Sequence, residues 1–124
     1  MQNYLLVALG GALGSALRYG VGEAFLQRGL GELPYGTLFI NVTGCLLISL
    51  FAGYAGGRPE LHPGFRFLFP IGLVGGYTTF SAYALELQRL FDRGAPGAAA
   101  AYLVASNAIG LAAVYAGLWI GRRV

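Results

Sequence analysis

The sequence predicts an all-α membrane protein of four transmembrane helices, the third of them broken near its middle. Three observations predict it. The chain of 124 residues is 56% hydrophobic and only 10% charged, with mean hydropathy +0.64. A soluble domain carries about 25% charged residues, and a core of this size cannot hide so much apolar surface. The apolar residues fall into four stretches, each longer than the ~20 residues that cross the hydrocarbon core. Inside the third stretch stands Gly75-Gly76-Tyr77-Thr78-Thr79-Phe80-Ser81, poor material for a helix interior.

The spans are read as roughly Asn3 to Leu26, Tyr35 to Gly56, Phe65 to Phe91 and Ala98 to Ile120, forming one domain over residues 1–124. The first contains Arg18 and lacks a basic leader, so it reads as a retained span. Turn-forming residues close each one: Arg28 to Pro34, Gly56 to Gly64, and Asp92 to Gly97. Tyr4, Tyr35, Tyr54 and Trp119 near span ends fit interfacial anchors. Many of the 21 glycines recur at four-residue spacing: Gly10 and Gly14, Gly53 and Gly57, Gly72 and Gly76, Gly117 and Gly121, with Ala12 and Ala16 alongside. Small residues so spaced let helix backbones approach closely in lipid.

The net charge of +3 comes from eight arginines scattered near span ends, not from a nucleic-acid-binding cluster. With an even number of spans, one face holds Arg58, Arg66, Arg122 and Arg123 and the other Arg28, Arg89 and Arg93. Four against three sets no firm orientation. Insertion in both directions, with two copies pairing antiparallel, is one reading; a single orientation set during translocation is the other.

Polar groups at membrane depth are costly and mark function. They are Asn41, then Thr78, Thr79 and Ser81 at the break, then Ser106 and Asn107, with Arg18 the one charge placed inward. Amide and hydroxyl donors without a fixed negative charge suit an anion, and aromatic edges help; Phe80 and Tyr83 share a helix face. Carbonyls freed by a break suit a hard cation. For Asn41 an interhelical hydrogen bond competes with a pathway role, and for Phe80 and Tyr83 core packing does. Ser106 has its own i−4 carbonyl as a competing partner. Asn107 points to a different face from Ser106, so at most one lines a given path. Glu23 and Glu86 fall toward span ends, and a mid-span carboxylate of the kind proton coupling needs is absent, which argues for a passive pathway. No nucleotide loop, metal-spaced cluster or nucleophile–base pair is present, so the chain reads as no enzyme. A lone Cys45 excludes an intrachain disulfide.

Three ordered motifs, Gly10 to Tyr19, Gly36 to Gly44 and Gly72 to Ser81, closely resemble the Fluc (CrcB) fluoride channels over nearly the whole chain. The resemblance implies an antiparallel, dual-topology homodimer in a bacterial or archaeal plasma (inner) membrane, with two passive fluoride pathways. It implies a structural Na⁺ at the dimer centre, held by the backbone carbonyls of Gly75 and Thr78 from each copy. It places Asn41, Thr79, Phe80, Ser81, Tyr83, Tyr102 and Ser106 along the fluoride pathway and Arg18 toward the vestibule. Tyr83 stands where the family has a second phenylalanine. Gly110 and Ala112 stand where the family tends to carry hydroxyls. The rival readings are a small proton-coupled exporter of cationic compounds and a structural subunit of a larger membrane complex.

Overall fold

The computed structural model describes residues 1–29 and 33–124. Four helical spans are long and apolar enough to cross a membrane: Gln2–Leu26, Tyr35–Gly56, Gly64–Asp92 and Pro96–Gly121. The expected boundaries agree within two residues. Part of the expected first connector, Leu30, Gly31 and Glu32, lies outside the described residues.

Helices α1 (Gln2–Leu26) and α2 (Tyr35–Gly56) are continuous. The third span is composite: α3 (Gly64–Arg66), a π-helical stretch Phe67–Val74, α4 (Gly75–Tyr77) and α5 (Phe80–Asp92). The π-helical stretch contains Pro70, which offers no N–H and crowds the preceding turn. The turns are widened along this stretch: the Gly75 N–H reaches the Pro70 carbonyl, five residues back, as well as that of Gly72. Helix α6 (Pro96–Gly121) opens on a proline, whose fixed φ and missing N–H suit a first turn. Between α5 and α6, Gly94 takes φ 71°. Its N–H donates to Phe91 and that of Ala95 to Leu90, closing α5 with a left-handed cap.

The spans pack as two parallel pairs, and the four-residue glycine rows make both contacts. At Gly10 an added Cβ would collide with the Leu68 carbonyl and lie 3.0 Å from the Cα of Gly72; at Gly14 it would collide with the Leu73 carbonyl. These glycines seat α1 directly on the backbone of the third span. A Cβ added at Gly53 would stand 2.7 Å from the Leu118 carbonyl, and Gly117 and Gly121 leave no room for a Cβ against Ser49 and Leu50, so α6 lies along α2. Three members of the expected pattern do not pack this way. Gly57 faces open space beyond the end of α2, and Ala12 and Ala16 are exposed. A small residue permits a close approach but does not by itself bring a neighbour. Tyr83, Leu90, Ala99 and Tyr102 form a buried cluster that ties α5 to α6.

Candidate ion pathway at the helix break

The break falls at the centre of the third span, and its cause is more specific than the sequence suggested. Gly75 and Gly76 stay helical. Their role is packing: a Cβ on Gly76 would stand 2.6 Å from the Gly11 carbonyl. The threonines break the helix. Thr78 (φ −79°, ψ 159°) and Thr79 (φ −151°, ψ 118°) are extended. Such residues offer the backbone side-chain bonds in place of helical ones. The Thr79 hydroxyl accepts from the Ala82 N–H at 3.2 Å and caps α5. The Thr78 hydroxyl donates back to the Val74 carbonyl at 3.1 Å.

Asn41 holds the break open. Its Oδ1 accepts from the Thr79 N–H at 2.9 Å and its Nδ2 donates to the Thr79 carbonyl at 3.0 Å, as a neighbouring strand would. This pattern also fixes the orientation of the amide. The interhelical reading and the pathway reading of Asn41 are therefore compatible, but only one of its two N–H donors remains free. On the buried side, the Tyr77 and Thr43 hydroxyls share a hydrogen bond of 3.0 Å. Because Thr79 bonds to Asn41, the Gly75 carbonyl loses the i+4 partner that an unbroken helix would supply.

Asn41, Gly75, Thr78, Thr79 and Phe80 line an open groove of ≈ 350 Å³ with Cys45. Phe80 is 79% exposed there, and Ser81 is exposed beside it. The Ser81 hydroxyl lies 3.3 Å from that of Thr79. From Phe80 an aromatic series leads inward: the Phe80 and Tyr83 rings are 5.7 Å apart, and Tyr83 and Tyr102 are 5.3 Å apart, all tilted. It ends at Glu86, whose carboxylate accepts from Tyr102 at 2.8 Å and from Thr37 at 2.6 Å. Glu86 and Thr37 in turn line a second cleft of ≈ 470 Å³ between the end of α1 and the start of α2. Phe80, Tyr83 and Glu86 recur every three residues, so one face of α5 joins the two cavities.

Ser106 stands one turn beyond Tyr102 on α6, and its buried hydroxyl has no hydrogen-bond partner among the described residues. It does not bond its own i−4 carbonyl. A buried unpaired hydroxyl requires an explanation, and a path for a ligand beside it is one. One further turn on, Gly110 lies against Cys45, where a Cβ would come within 3.6 Å of the thiol sulfur. The α6 face thus leads back to the groove at Asn41. Arg18 is one turn beyond Gly14 on the α1 face that packs on the third span, and it makes no hydrogen bond to the candidate pathway residues among those described.

Two residues here were missed by sequence reasoning. Sequence position alone gives Glu86 no role, although it joins α2, α5 and α6 through two hydroxyls. The sequence places Asn107 on a different face from Ser106 without naming a partner; its Nδ2 donates to the Tyr83 hydroxyl at 3.2 Å and to the Leu103 carbonyl at 2.8 Å. The available signal is a polar residue within an apolar span; the partners on other helices are 16 to 49 residues away in sequence, a distance that no local pattern reports.

Four spans, one of them interrupted at its centre beside a lined groove, define a multi-pass membrane protein built to handle an ion. The family model described as CrcB-like protein, Camphor Resistance (CrcB), matches residues 5–118, and the chain belongs to that family. It is 44% identical over 123 residues to the Fluoride-specific ion channel FluC of Acidobacterium capsulatum, covering 99% of this chain and 98% of the relative. Identity is 45% over 122 residues to the FluC of Rhizobium meliloti, covering 98% of each. It is 49% over 119 residues to the FluC 1 of Nitrobacter hamburgensis, covering 95% of this chain and 94% of the relative. These relatives are ion channels by name, not enzymes, and the chain is a non-enzymatic, multi-pass protein of the plasma membrane.

Proposed function

We propose that this protein is a passive, fluoride-selective channel that releases cytoplasmic fluoride and so relieves its toxicity. The observation that carries the reading is the break itself. It directs the N-terminus of α5, with its partial positive charge, into the groove where Asn41 keeps one free N–H and Phe80 presents its ring. Fluoride is small and tightly hydrated. A narrow path must replace its water without holding it too firmly, and amide, hydroxyl and ring-edge donors in series do this. The relatives named as fluoride-specific channels support the same ion. A weak acid's anion accumulates in the more alkaline cytoplasm, so export needs no coupling.

Two copies pair antiparallel in this reading, giving two pathways. The exposed Phe80 and the open groove support it, since a second copy would cover both. A Na⁺ ion sits between the copies, bound by the Gly75 and Thr78 carbonyls of each. The residues fit such an ion: both line the groove, the Gly75 carbonyl lacks its helical partner, and a hard cation prefers oxygen ligands. Binding of radiolabelled sodium should saturate at one ion per two chains; no binding would remove sodium from the proposal.

The deciding experiment is efflux from liposomes that hold the purified protein, followed by fluoride and chloride electrodes in parallel. Rapid fluoride release with chloride retained is expected. Silence on both from folded protein would favour a structural subunit. Efflux only under an imposed proton gradient would transfer the weight to Glu86 and an exchange mechanism.

A further inference from the structure

We propose that the arginine-rich end of the α2–α6 pair, with the apolar groove beside it, binds an anionic phospholipid. At this end Arg58 and Arg122 line a cleft of ≈ 380 Å³ whose remaining walls are largely small residues, among them Gly53 and Gly57. The guanidinium of Arg58 lies 3.9 Å over the Tyr54 ring, and that of Arg123 lies 3.6 Å over Trp119. Cation–π contacts with aromatics at span ends hold both charges at headgroup level. Arg58 also donates to the Tyr54 carbonyl at 3.1 Å and to the Val124 backbone oxygen at 2.6 Å. Its position is thereby fixed before any ligand arrives.

The charge balance selects an anion. Arg58, Arg66, Arg122 and Arg123 stand at this end, and Glu60 is the one acidic side chain there among the described residues. Among the described residues, Glu23, Glu86 and Asp92 stand toward the opposite end. Counting arginines alone hides this asymmetry.

The adjoining groove selects a lipid over a free phosphate. Leu50, Phe51, Tyr54, Phe65, Leu68 and Phe69 line an apolar groove of ≈ 350 Å³. Leu50, Tyr54 and Arg58 recur every four residues, so the groove opens directly beneath the arginine. Tyr54 is shared: one face of its ring carries Arg58, and its body closes the groove. At 3.6 residues per turn, Leu50 and Tyr54 lie on the opposite flank of α2 from Asn41, Cys45 and Ile48. The groove is therefore not the surface that a second copy would cover over the break. An acyl chain fits the groove while the phosphate sits between Arg58 and Arg122.

Native mass spectrometry of the purified full-length protein, titrated with dioleoyl phosphatidylglycerol or the matching phosphatidylcholine, tests this. Two arginine contacts should give roughly a tenfold or greater preference for phosphatidylglycerol. Arg122→Gln, which leaves the bonds of Arg58 intact, should remove most of that preference. Equal retention of both lipids by the unaltered protein, which needs no variant, would overturn the proposal. So would an unchanged preference in a folded Arg122→Gln. Displacement of the lipid by equimolar inorganic phosphate would mean that the groove takes no part, and would also overturn it. Oxidative cross-linking of two copies through Leu68→Cys, in a Cys45→Ser background, would assign the groove to a second copy instead.

Discussion

At the residue scale, Asn41 does two things with one amide. It satisfies both backbone groups of Thr79, and it keeps one donor unused in a side chain that lines the groove. The two roles separate by substitution. Asn41→Asp still accepts from the Thr79 N–H but cannot donate to its carbonyl, and it places negative charge on the path. Fluoride efflux should fall to background; efflux near the normal rate would exclude Asn41 from the path. Asn41→Ala leaves the Thr79 N–H and carbonyl unpaired, which costs about 1–3 kcal/mol, read as a lowered unfolding temperature in detergent. Phe80 is different, because it is exposed and supports little within its own chain. Phe80→Ile should cripple efflux and leave folding and oligomeric state unchanged. Near-normal efflux would reduce the ring to a packing element.

At the scale of elements, the interruption of the third span combines two devices. The first half, around Pro70, is widened into a π-helix, and the two threonines end it. Thr79→Ala removes the cap of α5 and should cost about 0.5–2 kcal/mol, while Thr79→Ser should preserve it. Equal stability of the two variants would show that the cap is dispensable. Gly72→Leu should separate α1 from the third span, since Gly72 and Gly10 leave no room for a side chain; loss of folded protein from the membrane fraction is the readout. Span positions were legible in the sequence because hydropathy and length are local properties. The location of the break was legible to within a few residues. Its mechanism was not: the paired glycines and paired threonines stand side by side, and only packing against Gly11 and bonding to Asn41 separate their roles.

For the whole molecule, the proposed pathways depend on pairing and orientation. If two copies insert in opposite directions, lysines appended to one terminus should impose one orientation and lower both dimer yield and efflux. Unaffected yield and efflux would exclude dual topology.

The sequence alone determined a four-span membrane protein with an interrupted third span and a scarcity of titratable groups. These follow from composition and from spacing along the chain, because a bilayer requires each helix to be apolar over a fixed length. Its motifs carried the family resemblance. The tertiary structure decided what the polar residues bond to. Glu86 joins Thr37 and Tyr102, Asn107 meets Tyr83, and Ser106 has no partner among the described residues. A buried polar group must be paired or held for a ligand, and which of the two applies depends on neighbours from other helices. Those neighbours are brought into place by glycine contacts between spans distant in sequence.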